Sequence, residues 1–144
     1  MGRIEFSKTV SADPAALWTV MANPATWSDW FSIHERWMEE PPATLEAGSR
    51  LTVKILMLGM ANKLEWTVDA VDAPTSMTLS GTGMAGVKVQ FAFTVTPVDG
   101  CSEIQISGDF EGALIKGALG KAVEKDGRKQ LEKSVTALEN LALA

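Results

Sequence analysis

The residues of this 144-residue chain that could do acid–base or nucleophilic work are few: one histidine, one cysteine and no tyrosine. A Ser-His-Asp triad would have to use His34, and a metal site built of histidines alone is impossible. His34-Glu35 opens like the zinc motif H-E-x-x-H, but position 38 is Met and the segment reads as a strand, so no metal is expected. Glu35 alternates with Ile33 and Trp37. If those two face inward, Glu35 does too, and a carboxylate in apolar surroundings has a raised pKa and can act as acid or base. Lys8 shares parity with Phe6 and Val10, and would meet Glu35 if the first strand pairs with the strand after the helices. The other arrangement is a bulge or twist that turns Glu35 outward and gives the inward place to His34 or Arg36. His34, Glu35, Arg36 and Lys8 are the whole stock of groups for a cyclisation or dehydration, and no spacing among them completes a constellation.

Two glycine motifs invite a phosphate reading and fail it. Gly81, Gly83 and Gly86 spell G-x-G-x-x-G, but a dinucleotide site needs a helix next, and Val87-Lys88-Val89-Gln90-Phe91 alternates as a strand. Gly120-Lys121-Ala122 lacks the Ser or Thr after the lysine and the glycine five residues earlier. No cofactor is expected. The glycine-rich stretch reads instead as a hairpin that could border a cavity mouth. Met60 and Met84 sit beside glycines in loops and are candidates for a cavity rim, whereas core filling explains Met57 and Met77 equally well. Five tryptophans each carry an N–H that seeks a partner when buried. Trp18 reads as core, Trp27 and Trp30 as closing one side, and Trp37 and Trp66 as aromatic ligand contacts.

The composition narrows the classes. The hydrophobic share of 46% suits one ordinary folded domain over residues 1–144, with no repeat or linker dividing it. The net charge of −5 argues against binding DNA through the surface as a whole. Lys116, Lys121, Lys125, Arg128, Lys129 and Lys133 nevertheless cluster in one C-terminal segment, which reads as a solvated helix face. The longest apolar stretch, residues 55–61, is far short of a membrane span, and Met1–Phe6 has no apolar signal core. With Cys101 alone, no internal disulfide can form. The expectation is a soluble, reduced, cytoplasmic protein without stable membrane insertion.

Period decides the elements that position these residues. Arg3 to Val10 alternates as a strand. Asp13 then stands ahead of Pro14, an N-cap acceptor followed by proline at the first helical position, and predicts a short helix to Met21. A further helical turn runs from Pro24 to about Trp30. Alternating runs then predict strands at about 33–39, 49–58, 63–73, a short one around Met77 and Leu79, 87–98 and 101–110, with Asp99-Gly100 as a tight hairpin turn. From Gly112 the period is helical. Leu114, Leu119, Val123, Leu131, Val135 and Leu138 form one stripe, and the regular helix is placed at 117–143 despite Gly117, Gly120 and Gly127.

Short turns between consecutive strands imply antiparallel pairing, and the long helix is the one element able to cover the apolar face. The fold class is therefore α+β: a curved seven-stranded antiparallel sheet wrapped around a C-terminal helix, with two short helices between strands 1 and 2. The inner face would carry Val53, Ile55, Met57, Leu64, Trp66 and Val68, then Met77, Leu79, Val89, Phe91 and Phe93, then Ile106 and Phe110. Leu114, Leu119 and Val123 face them from the helix. With Glu35 and Trp37 these are the candidate ligand-binding residues. Whether the space between sheet and helix is open or filled by Trp66, Phe91, Phe93 and the methionines is left undecided by side-chain types alone.

The order of elements resembles the helix-grip fold of the START-like, polyketide cyclase/dehydrase and lipid-transport (SRPBCC) superfamily, which includes the birch-pollen allergens. Val10-Ser11-Ala12-Asp13-Pro14-Ala15-Ala16-Leu17-Trp18 and Asn23-Pro24-Ala25-Thr26-Trp27-Ser28-Asp29-Trp30 are similar to that superfamily's opening. Residues 33–37 and 81–89 resemble an actinobacterial branch that includes a mycobacterial type II toxin. The resemblance implies a hydrophobic cavity with its mouth near the first half of the long helix. It also implies three functions: binding or transport of a hydrophobic small molecule (lipid, isoprenoid or polyketide-like), a polyketide cyclase/dehydratase-type reaction, or a toxin with an antitoxin or ribosome partner.

Overall fold

Alternation in the sequence becomes alternation of burial in the computed structural model, which describes residues 2–57, 60–83, 86–112 and 117–143, apart from the side chains at 57 and 60. The elements are β1 (Gly2–Val10), α1 (Pro14–Met21), a 3-10 turn (Pro24–Thr26), α2 (Trp27–Trp30), β2 (His34–Trp37), β3 (Arg50–Met57), β4 (Met60–Asp72), β5 (Ser76–Gly83), β6 (Lys88–Val98), β7 (Cys101–Glu111) and α3 (Gly117–Leu143). Met84, Leu114 and Lys116 lie outside the described residues, as do the side chains of Met57 and Met60.

The seven strands form one antiparallel sheet in the order β1-β7-β6-β5-β4-β3-β2. In β7 every second residue from Ser102 to Phe110 is buried. The hairpin joining β6 to β7 pairs Val98 with Cys101, so Asp99 and Gly100 are its two loop residues, both at positive φ (40° and 80°). That matches the right-handed twist of the flanking strands. The Asp13 carboxylate accepts from the Ala16 amide at 3.3 Å and caps α1.

α3 packs along β1 and against α1 and α2, and also reaches β3. β1 and β3 are five strands apart in the sheet order, about 24 Å if flat, against a helix about 10 Å across. One helix can touch both only because the sheet curls around it. Gly127 sets the close approach at β1: a Cβ there would lie 2.8 Å from Ile4 Cδ1 and 2.9 Å from Ile4 Cγ2. A polar clamp holds the other side. Ser134, fully buried on α3, accepts from the Ser32 amide at 3.0 Å, and the Ser32 hydroxyl donates to the Gln130 carbonyl at 2.8 Å.

Three expectations need correction. β1 and β2 are opposite edges of the sheet, so Lys8 and Glu35 do not meet; Lys8 pairs with Glu139 of α3 at 3.8 Å instead. The register of β2 against β3 slips between His34 and Arg36, a bulge that leaves Glu35 exposed and puts His34 inside. Leu119 is 42% exposed, because the buried stripe runs through Gly120, Val123, Gly127, Leu131 and Leu138, and Leu119 lies about 100° from its centre.

Candidate functional site

Two strand glycines shape the concave face. Trp66 pairs across the ladder with Gly81, and Phe91 pairs with Gly108. A Cβ at Gly81 would come 2.9 Å from Trp66 Cε3, and one at Gly108 would come 2.5 Å from Phe91 Cε1. Each ring therefore lies down over the backbone of its neighbouring strand, where any side chain would prop it up. The two rings stand 5.7 Å apart at 67°, and Phe91 meets Phe110 edge to face at 5.9 Å. In the sequence Gly81 reads as part of a hairpin at a cavity mouth, whereas it lies within β5, and Gly108 is not singled out. Their signal was there: a glycine on the apolar parity of a strand whose neighbours are aromatic.

Phe31, also not singled out, fills the side of the interior next to α2. Its ring lies 5.7 Å from Phe91 and 5.6 Å from Phe93, and Trp30 packs edge-on to Phe93 at 6.0 Å. Trp27 donates its indole N–H to the Met21 carbonyl at 3.0 Å, and Trp30 donates to Thr26 Oγ1 at 3.1 Å. Both close that side of the grip as satisfied core residues. Trp37 is half-buried against Trp27 at 5.4 Å and His34 at 4.7 Å.

Of the candidate ligand contacts, Val53, Val68, Met77, Leu79, Phe91, Phe93 and Ile106 are 0–1% exposed. Of the remaining candidates, Ile55, Val89 and Phe110 on the sheet and Val123 on α3 are buried as well, at 6%, 4%, 3% and 7% exposed. Trp66 lies in the same cross-strand row as Val89 and Phe110, is 1% exposed, and its Nε1–H has no hydrogen-bond partner.

The acid–base groups do not converge. His34 is 5% exposed, neither ring nitrogen has a hydrogen-bond partner, and burial pushes its pKa down to about 4. Neutral at ordinary pH, it lies between Trp27, perpendicular to it at 6.0 Å, and Trp37, tilted against it at 4.7 Å. Glu35 and Arg36 are on the outside of β2. Among the described residues no group of three or more His, Cys, Asp or Glu side chains could hold a metal ion. The glycine motif is followed by a strand, β6 (Lys88–Val98), and not by the α-helix whose N-terminus a dinucleotide site needs.

A family model described as "Polyketide cyclase / dehydrase and lipid transport" matches residues 1–140. The chain belongs to that family. Among its relatives is the Mycobacterium tuberculosis protein named Toxin Rv0910, 29% identical over 140 residues, which cover 94% of this chain and 97% of that one. Another from the same organism, Uncharacterized protein Rv1546, is 28% identical over 141 residues, 98% of this chain and 99% of the relative. The solved structure of the Zhui aromatase/cyclase from a Streptomyces species superposes with a TM-score of 0.74 at 17% identity, covering 98% of this chain and 93% of that one. The polyketide cyclase/dehydrase family fold is consistent with hydrophobic ligand binding. No helix among the described residues is long and apolar enough to cross a membrane.

Proposed function

We propose that this protein binds an apolar or amphipathic small molecule, of lipid, isoprenoid or polyketide-like character, between the curled sheet and the first turns of α3. The observation that carries the reading is the continuous apolar concave face, from Ile55 and Leu64 to Phe91 and Ile106, that the curled sheet presents toward the interior. Trp66 over Gly81 and Phe91 over Gly108 give that face an aromatic lining. Burial of the guest supplies the driving force, about 25 cal/mol per Å² of apolar area removed from water. A small number of polar groups fixes orientation. Carriage is favoured over catalysis because His34, Glu35, Arg36 and Lys8 occupy separate places with no shared target. Titration with fatty acids and polyaromatic compounds, read by tryptophan fluorescence, tests it. The expected result is a saturable change; no response across a broad apolar library overturns it.

A second reading is favoured by the name of the relative Toxin Rv0910 and by one surface of α3. Lys121, Lys125, Arg128, Lys129 and Lys133 are all exposed on its outer face, and none takes part in an ion pair among the described residues. In this reading the helix contacts an anionic macromolecule, growth stops, and an antitoxin relieves it. Induced expression with and without the product of the neighbouring gene is the test, and unimpeded growth on expression alone removes the reading.

A further inference from the structure

Resting on the ligand site proposed above, we infer that the Trp66 indole N–H orients the bound molecule, and that this molecule carries a neutral oxygen acceptor, a carbonyl or hydroxyl, on an otherwise apolar body. Three tryptophans are 0–1% exposed: Trp27, Trp30 and Trp66. The first two place their indole donors on protein oxygens at 3.0 and 3.1 Å, whereas Trp66 Nε1 has no partner. A buried donor without an acceptor is destabilising, and such groups normally hold a water or a ligand atom.

The orientation of the ring follows from its covalent frame. Cε3 and Cζ3 lie over Gly81, so the opposite edge, which bears Nε1, turns away from β5. On the side away from β5 the cross-strand partner of Trp66 is the buried Leu51, and the Phe91 ring stands 5.7 Å from the indole; both are hydrocarbon. Backbone carbonyls on either side are committed to the β3–β4 and β4–β5 ladders. Among the described residues nothing accepts from Nε1, which leaves that place to an acceptor on the bound molecule.

Its charge follows from what else is inside. The buried polar or charged side chains among the described residues are His34, Ser102 and Ser134. Ser102 donates to the Ala12 carbonyl and Ser134 to the Gln130 carbonyl, and no buried lysine or arginine balances an anion. One neutral indole donor does not compensate the desolvation of an ionised carboxylate, but it matches one ketone, ester or hydroxyl oxygen. A fatty acid would then have to leave its head group in water at the mouth, whereas a polyaromatic ketone would place its oxygen at Trp66.

The test compares anthracene with 9,10-anthraquinone, two flat guests that differ in their carbonyl oxygens. The wild-type protein should bind the quinone about fivefold more tightly than the hydrocarbon, the worth of one neutral hydrogen bond. Trp66→Phe should abolish that preference while leaving anthracene affinity within about twofold. In 15N-labelled wild-type protein the Trp66 indole resonance should move downfield with the quinone and not with anthracene. If Trp66→Phe does not fold, this spectrum decides alone, with the resonance assigned by its through-space contacts to Phe91. An unchanged preference in Trp66→Phe, or quinone binding that leaves the Trp66 resonance in place, overturns the inference. Binding of neither guest removes the proposed site itself, and binding of both without discrimination removes only the donor role.

Discussion

The ring of Phe91 lies so close over Gly108, its ladder partner on β7, that a Cβ at position 108 would stand 2.5 Å from Phe91 Cε1 and 2.9 Å from Cζ. No methyl group fits there unless the ring moves, and the ring is held by Phe31, Trp66 and Phe110. Gly108→Ala should therefore destabilise by about 1–3 kcal/mol, the usual cost of overpacking a filled interior, even though alanine is the better strand residue. Urea unfolding measures it. Phe91→Leu should cost stability alone, yet the double variant should recover part of the Gly108→Ala loss, a coupling seen only between residues in contact. Additive losses would show that the ring does not rest on Gly108.

Gly127 poses the same question inside a helix, with propensity pulling the other way. Alanine gains about 1 kcal/mol over glycine in a helix interior. Against this, its Cβ would sit 2.8 Å from Ile4 Cδ1 and 2.9 Å from Ile4 Cγ2. The second atom is fixed to the β-carbon and cannot swing aside as a side-chain end can. The net effect of Gly127→Ala should be a loss of about 1–2 kcal/mol, because overpacking outweighs the propensity gain. Combined with Ile4→Ala, which removes both close atoms, the substitution at 127 should become stabilising. The midpoint of thermal unfolding of the two single variants and the double variant decides it.

The contrast between these glycines and the rest of the chain shows what was legible in the sequence. Alternation from Lys63 to Val68 and from Val87 to Val95, the Asp13-Pro14 helix start and the Asp99-Gly100 turn were readable, because each is a local signal with a local cause, whereas a register shift against β5 leaves Ala70 exposed. α3 spans Gly117–Leu143 as its period indicates. What could not be read depended on partners far along the chain. The bulge in β2 is a property of its register against β3, and it decides between the two directions that the sequence leaves open for His34 and Glu35. Gly127 looked like a defect in the helix until Ile4 was placed beside it. Leu119 fits a helical period, but the centre of the buried stripe is set by Gly120 and Gly127, where the helix comes closest to its neighbours. A hydropathy pattern overlooks that choice because glycine carries no apolar weight.

The clamp between Ser32 and Ser134 joins residues 102 apart in sequence. Ser134 Oγ accepts from the Ser32 amide at 3.0 Å and donates to the Gln130 carbonyl at 2.8 Å. Ser134→Ala leaves the Ser32 amide without that acceptor in a part-buried place. The expected cost is about 1–2 kcal/mol. The loss should be local as well as global: hydrogen exchange at the Ser32 amide should quicken more than exchange at Phe93 in the sheet. Equal acceleration at both amides would mean that the clamp adds stability without pinning the α2–β2 connection.

His34 gives the fold a pH dependence whose sign follows from its surroundings. Burial between Trp27 and Trp37, with no partner on either ring nitrogen, lowers its pKa from 6.5 to about 4. As pH falls below about 6.5 the unfolded chain takes up a proton that the folded chain refuses until about pH 4. Stability tied to the neutral ring is therefore complete above about pH 6.5, declines as pH drops through that window, and loses nothing further below it. A shift of this size corresponds to roughly 3 kcal/mol. His34→Phe removes the titration and the two unpartnered nitrogens together, and keeps an aromatic ring between the two tryptophans. At pH 7 the variant should be at least as stable as the wild type, since an apolar ring has no buried polar atom to leave unpaired. Between pH 6.5 and pH 4.5 the wild type should lose about 2–3 kcal/mol more than the variant, read as the difference in urea midpoints, because carboxylate titrations are common to both. Parallel pH profiles for the two proteins would mean that the folded chain accepts the proton at His34 as readily as the unfolded chain does.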